Sequence, residues 1–119
     1  MRKPIEWLAD TLQILRKFPQ SVVRDIGRAL AVAQGDEKHP AAKPLKGFSG
    51  AGVLEIIENH DGKTYRAVYT VRFLGVVYVL HVFQKKSKRG IATPKKELDL
   101  VRMRLRSARE HFEERRRRG

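Results

Sequence analysis

The stretch that decides the fold is TYRAVYTVRFLGVVYVLHVFQ, residues 64–84. Its two halves, 64–73 and 76–84, are rich in aromatic and β-branched residues, a composition that is typical of β-strands. Leu74-Gly75 separates the halves and predicts a two-residue hairpin loop, because glycine accepts the backbone angles of tight turns. The stretch therefore predicts two antiparallel strands.

Upstream of this hairpin, the sequence predicts a further strand and two helices. VLEIIE (53–58) reads as a strand that ends at the turn sequence NHDG, which completes an antiparallel meander. A short strand is predicted at 4–8, and Asp10 is expected to cap a short helix. Pro19 is expected to start a second helix that stops near Gly35, so that the two helices form a hairpin.

The rest of the chain predicts a loop and a long C-terminal helix. Prolines and glycines interrupt residues 36–52, which we expect to form a loop. Thr93 as N-cap and Pro94 as first helical residue predict a helix over 94–118. An apolar seam at helical spacing runs along this helix and consists of Leu98, Val101, Leu105, Ala108 and Phe112. The predicted fold is α+β: an N-terminal helical hairpin, an antiparallel sheet and a C-terminal helix in a single domain spanning 1–119.

A two-residue loop would also fix which side chains share a face. It places Arg66 opposite Phe83 and Val68 opposite His81, so that Arg66 and His81 are diagonal neighbours. A one-residue change in the loop would rotate one strand's set to the other face. The expected core face carries Tyr65, Ala67, Tyr69, Val71, Phe73, Val76, Tyr78, Leu80, Val82 and Gln84. The other face carries Arg66, Val68, Thr70, Arg72, Val77, Val79, His81 and Phe83, and Lys85 continues it.

This second face has the ingredients of a phosphate site. Arg66 offers a planar fork of donors that suits phosphate oxygens, and His81 exchanges a proton near neutral pH. Lys85 and Lys86 are placed to balance negative charge. The competing interpretation is structural: strand histidines are usually packed or hydrogen-bonded, and lysines after a strand often protect a sheet edge.

The charge and composition of the chain reduce the number of functions that it could have. The formal net charge is +13, and residues 85–119 hold 14 Lys/Arg against 5 Asp/Glu. Such an excess attracts polyanions and favours nucleic acid as a partner, although a solvated basic surface is the alternative. Cysteine is absent, and the four histidines are scattered, so we expect no metal and no cofactor. No apolar run approaches the roughly 20 residues of a membrane span, and we expect a soluble, cytoplasmic protein.

Several short motifs, in their order and spacing, resemble the phage-derived branch of the RelE/HigB toxin superfamily. The motifs are Glu55-Ile56, Tyr65-Arg66 with Val68-Tyr69, the strand Tyr78 to His81, Phe83 to Lys86, and Thr93 to Lys95. The opening KPIEWLAD and the loop KPLKGF, residues 43–48, share the resemblance, which covers nearly the whole chain. It implies a microbial-RNase-like fold and the toxin half of a type II toxin–antitoxin pair.

The implied activity is metal-independent cleavage of mRNA, commonly on the ribosome, by attack of the ribose 2′-hydroxyl on the adjacent phosphate. The implied catalytic residues are Arg66, Lys85, Lys86 and, as acid or base, His81. RNA contacts are assigned to the remaining cations near these motifs: Lys43, Lys46, Arg72, Lys88, Arg89 and Lys95. A cognate antitoxin of the helix-turn-helix, HigA-like type is the implied protein partner.

Two other functions remain open from the sequence. One is a non-catalytic RNA- or ribosome-binding protein with the same fold and charge. The other is a phage-derived structural or interaction module, against which the net charge of +13 argues. Intact RNA after binding would distinguish the first from an enzyme, and an apolar surface without RNA affinity would indicate the second.

Overall fold

A five-stranded sheet organises the protein. The computed structural model describes residues 2–48, 50, 52–85 and 93–119. The strands β1 (Ile5–Trp7), β2 (Ala42–Pro44), β3 (Val53–His60), β4 (Lys63–Thr70) and β5 (Val77–Lys85) lie in the order β1-β5-β4-β3-β2. The central three form the predicted antiparallel meander, and β1 adds a parallel edge beside β5.

Three helices complete the fold: α1 (Thr11–Arg16), α2 (Gln20–Gln34) and α3 (Lys95–Arg118). The limits predicted for α2 hold to within one residue, since Pro19 is its N-cap and Gly35 is its C-cap. Both predicted side-chain caps are wrong. Asp10 precedes α1 without a capping hydrogen bond. Pro94 occupies the N-cap of α3, and the Thr93 hydroxyl donates to Glu55. None of the helices in the described part of the chain is both long and apolar enough to span a membrane.

The sheet is buried on both faces. One face packs against α1 and α2, around residues such as Leu15, Ile26 and Leu30. The other packs against the predicted apolar seam of α3, every member of which lies in this second cluster. Seven of the eight residues of β4 are buried as a result, from Thr64 to Thr70. The expectation of a single core face was therefore wrong, because a helix layer covers each side.

The register between β4 and β5 is partly as predicted. Arg66 pairs with Phe83 and Val68 with His81, as expected. The two-residue loop is wrong: β4 ends at Thr70, and residues 71–76 connect the strands. The pairing also shifts by one residue after Val68, so that Tyr69 pairs with Val79.

This β-bulge changes which face the first half of β5 presents, because one extra residue reverses the alternation of side chains. Val77 and Val79 join the cluster under α1 and α2, whereas Tyr78 and Leu80 join the cluster under α3. These four assignments are the reverse of the prediction. Val82 and Phe83, on the far side of the bulge, lie on their predicted faces.

The predicted loop over 36–52 contains the edge strand β2. Proline is tolerated in an edge strand because its missing N–H faces away from the ladder, and Pro44 sits in such a position. The pairing of β2 with β3 places Lys43 directly opposite Glu55. A lysine expected in a loop is thereby held at a defined place on the sheet.

Candidate nucleic-acid site

A pocket of about 340 Å³ opens where β2, β3 and β4 meet the start of α3. Arg66 lies in its lining, and we call it the Arg66 pocket. The other lining residues are the cations Lys43 and Lys46, the polar residues Glu55, Asn59, Thr64 and Thr93, and the apolar residues Pro44, Leu45, Ile57 and Leu98. Three of the predicted functional residues, Lys43, Lys46 and Arg66, therefore come together although they belong to distant parts of the sequence.

Arg66 is almost fully buried, with 2% of its surface exposed. Its Nη1 donates to Glu55 Oε2 at 3.3 Å and to Thr93 Oγ1 at 2.9 Å. The Thr93 hydroxyl in turn donates to the same Glu55 oxygen at 2.7 Å. A buried charge is tolerated only with a partner and hydrogen bonds, which Glu55 and Thr93 supply. The three side chains link β3, β4 and the residue leading into α3.

His81 is held against α3 and does not line the Arg66 pocket. Its Nε2 lies 2.7 Å from Glu97 Oε1, and its Nδ1 lies 3.3 Å from Arg104 Nη1. Because a guanidinium can only donate, Nδ1 must lack a proton, and Nε2–H then donates to Glu97. Burial lowers the pKa of His81 below its usual value near 6.5 and outweighs the hydrogen bond to Glu97, which acts in the opposite direction. The ring is therefore neutral at pH 7 and stacks on Phe83, with centroids 4.7 Å apart.

Lys85 lies on the pocket side of the sheet. It pairs with Thr64, which lines the Arg66 pocket, and directly opposed residues of an antiparallel pair point to the same face. Its half-exposed side chain ends β5 beside the pocket. Lys86, Lys88 and Arg89, which the sequence assigned to catalysis and RNA contact, lie outside the described residues.

The two other predicted RNA contacts lie apart from the lining. Lys95, the first residue of α3, is exposed and pairs with Asp99 at 3.3 Å. Arg72 is exposed beyond the end of β4, six residues after Arg66, which corresponds to roughly 20 Å of extended chain. A contact from Arg72 would thus concern a different part of an RNA strand from the nucleotide at Arg66.

Two residues of this site were not assigned a role from the sequence. Glu55 is 8% exposed and contacts Arg66, and the sequence predicts only a helix cap for Thr93. The signal for Glu55 is a carboxylate inside the apolar run VLEIIE, since a charge in a central strand requires a partner. Nothing comparable in the sequence indicates that Thr93 would reach across to β3.

Within the described ranges, no three His, Asp or Glu side chains gather closely enough to hold a metal ion. The donors that line the Arg66 pocket are two lysines, a guanidinium and hydroxyl and amide groups around one carboxylate. Lysine and arginine donate hydrogen bonds and repel cations. The lining is suited to an anion with polar and apolar parts.

The fold is that of RelE. The structure is similar to Escherichia coli toxin RelE, solved as a mutant in the free state, with a TM-score of 0.53 and 22% identity over 76% of this chain and 88% of RelE. It also matches a chain of the toxin–antitoxin complex RelBE2 from Mycobacterium tuberculosis, with a TM-score of 0.43 and 21% identity over 73% of this chain and 95% of that one. No protein of curated function matches in sequence.

The family is shown by the sequence itself. The model of the family described as phage derived protein Gp49-like (DUF891) matches residues 13–106. The chain belongs to this family. This match confirms the phage-derived family of the predicted resemblance, and the similarity to RelE confirms the predicted α+β fold.

Proposed function

We propose that this protein is the toxin of a type II toxin–antitoxin system and that it cleaves mRNA on the ribosome. The observation that carries the proposal is the Arg66 pocket, whose lining combines a buried guanidinium with two exposed lysines, Lys43 and Lys46. The RelE-like fold and the net charge of +13 support the same function. The reaction is attack of a ribose 2′-oxygen on the adjacent phosphorus, with cleavage of the bond between phosphorus and the 5′-oxygen.

Arg66 is the residue proposed to stabilise the negative charge of the phosphorane. It does so after the phosphate replaces Glu55 as its partner, since both present oxygen atoms to the same donors. The freed Glu55 carboxylate accepts the proton of the 2′-hydroxyl. Lys85, with Lys86 next in the chain, contacts the phosphate and supplies a proton to the departing 5′-oxygen.

His81 remains the alternative acid or base. Its two ring nitrogens already contact Glu97 and Arg104, so it would have to leave α3 before it could exchange a proton with RNA. Glu55→Gln keeps the shape of the side chain but removes the proton acceptor. His81→Gln removes the titratable ring and leaves a neutral polar side chain in its place. We expect the first to reduce cleavage by roughly 10²–10⁴-fold and the second by less than threefold. The reverse ranking would assign proton transfer to His81.

Arg66→Lys is the sharpest test of the activity, because it preserves the charge beside Glu55 while it removes the planar fork. Arg28→Lys is the matched control, since the Arg28 side chain is 68% exposed and belongs to α2, which packs on the opposite face of the sheet. Primer extension on messages in a translating extract should show discrete 5′ ends with the wild type and with Arg28→Lys. Loss of an Arg66 donor should reduce their rate of appearance by roughly 10²–10³-fold. Unchanged cleavage by Arg66→Lys would reject this role.

The second candidate is a non-catalytic RNA- or ribosome-binding protein. The burial of Arg66 against Glu55 favours it, because a guanidinium that never leaves its carboxylate contributes no catalysis. In that case message would remain intact when the protein binds. The affinity would still fall with salt, with a slope of about −0.7 for each single-strand phosphate that is neutralised.

The proposal includes a cytoplasmic antitoxin of the helix-turn-helix type. The exposed cations of the pocket rim, Lys43 and Lys46, and those of α3 offer a surface for acidic segments of such a partner. Co-expression with the product of the adjacent gene tests this directly. A protein encoded there should copurify with the toxin and suppress cleavage, and failure to bind would refute the pairing.

A further inference from the structure

We propose that the Arg66 pocket binds one unpaired nucleobase of the RNA in addition to a phosphate. This inference rests on the proposed function for its choice of RNA as substrate. It concerns two parts of the lining that a site for phosphate alone would not require. We call the apolar part, Ile57 and Leu98, the floor, and the polar part, Asn59 and Thr64, the polar wall; Lys43 and Lys46 lie at the rim.

The first observation is an apolar surface among charges. Ile57 lies on the sheet face of the pocket and keeps 37% of its surface exposed, which is unusual for a large aliphatic side chain in a strand. Leu98, at the start of α3, and Leu45, after β2, line the same space. A phosphate gains nothing from such a surface, whereas the flat faces of a base lose contact with water against it.

The second observation is a polar group fixed beside this surface. Thr64 is 3% exposed, and its hydroxyl donates to Asn59 Oδ1 at 3.1 Å. The bond fixes the orientation of the amide, because Oδ1 is engaged by Thr64 and the two N–H donors of Nδ2 occupy the other side of the group. Base edges carry the nitrogen and oxygen acceptors that such donors bind.

The size and charge of the pocket define the occupant. A volume of about 340 Å³ is at the lower end of the range for small-molecule sites, which corresponds to one nucleotide rather than a duplex. Lys43, in the edge strand β2, and Lys46, just after it, are exposed at the rim and available to the flanking phosphates. The base must be unpaired when it is bound, because a base that is stacked in a duplex does not expose its flat faces to the protein.

A double-mutant cycle between protein and RNA tests the inference. A labelled five-nucleotide RNA is compared by fluorescence anisotropy with versions in which each position in turn is abasic. The wild type should lose about fivefold to tenfold in affinity at one position, at the lower end of the values for stacked bases because the floor is aliphatic. Ile57→Thr, which keeps the β-branch of a strand residue, should bind both RNAs with nearly equal affinity.

Leu74→Thr is the matched control. Leu74 is 90% exposed and lies in the connection between β4 and β5, so that its loss leaves the pocket intact. It should retain the wild-type penalty for the abasic position. Asn59→Ala provides a second variant at the polar wall and should also reduce the penalty. Circular dichroism confirms that each variant is folded.

The outcomes separate this inference from the proposed function. If no abasic position weakens wild-type binding, or if Ile57→Thr retains the full penalty, the base pocket is refuted, and cleavage of message by the wild type would leave the ribonuclease proposal standing. If the penalty appears and depends on Ile57 while message remains intact, the base pocket is supported, and the catalytic proposal fails.

Discussion

Arg66→Met should strongly destabilise the folded protein, and a second substitution should reverse most of the loss. The Arg66 side chain is 3% exposed and that of Glu55 is 10% exposed, with 3.3 Å between Nη1 and Oε2. Removal of one partner from a buried pair leaves an uncompensated charge, which costs about 3–5 kcal/mol. Because Glu55 retains a hydrogen bond from Thr93 and some contact with water, we expect about 3 kcal/mol.

The double variant Arg66→Met/Glu55→Met removes both charges and replaces them with apolar chains of similar length. Substitutions of this kind in buried pairs are often neutral or stabilising. We therefore expect it to be at least 2 kcal/mol more stable than Arg66→Met, given the hydrogen bonds that are also lost. The control is Arg118→Met, which breaks the surface pair with Glu114, whose side chains are 78% and 54% exposed, and should cost less than about 1 kcal/mol.

Urea unfolding followed by circular dichroism measures these differences. With a slope of about 2 kcal/mol per molar, a loss of about 3 kcal/mol lowers the midpoint by roughly 1.5 M. A midpoint for Arg66→Met within about 0.3 M of the wild type would refute the buried pair. A double variant no more stable than Arg66→Met would show that the loss comes from packing and not from the charge that remains on Glu55.

Three further predictions concern the surroundings of the pocket. The folded-state pKa of His81 is lowered, so the unfolded chain binds its proton first, and stability should fall as the pH drops from about 6.5 towards that lowered pKa; His81→Gln should flatten the pH dependence in thermal melts. Lys43→Ala and Lys46→Ala should each reduce the salt slope of RNA binding by about 0.7, whereas Lys17→Ala, at the end of α1, should leave it unchanged. Thr93→Val removes the hydroxyl bonded to Glu55 and should cost about 1 kcal/mol in urea unfolding, a loss that Glu55→Gln should diminish.

The strands and helices could be predicted from the sequence because each depends on residues that are close together in the chain. The meander follows from β-branched and aromatic runs separated by turn residues, and α2 follows from Pro19, an apolar face and Gly35. The seam of α3 was likewise predictable, because its apolar residues recur every three or four positions and all of them pack on the sheet. In each case the residues that determine the element lie within a few positions of one another in the sequence.

The errors come from contacts between distant segments. The β-bulge beside Val68 is not marked by any local pattern, yet it decides that Tyr78 packs under α3 and Val79 under α2. Thr93 is an acceptable helix cap in isolation, but a buried carboxylate on β3 competes for its hydroxyl and prevails. The motif that contains Glu55 does not indicate its partner, because the contact with Arg66 depends on the strand pairing that brings the two residues together.

Under the proposed function, the Arg66–Glu55 pair sets stability and activity against each other. In the absence of RNA the pair lets a buried guanidinium exist, and the Thr93 hydroxyl anchors the entrance to α3 to it. In the proposed mechanism, an RNA phosphate displaces Glu55 to reach the same donors, so part of the binding free energy would be spent on separating the pair. The same displacement would release the carboxylate to accept a proton from the 2′-hydroxyl. Glu55→Gln should therefore bind RNA more tightly while it cleaves more slowly, because it removes the competitor of the phosphate and the proton acceptor together.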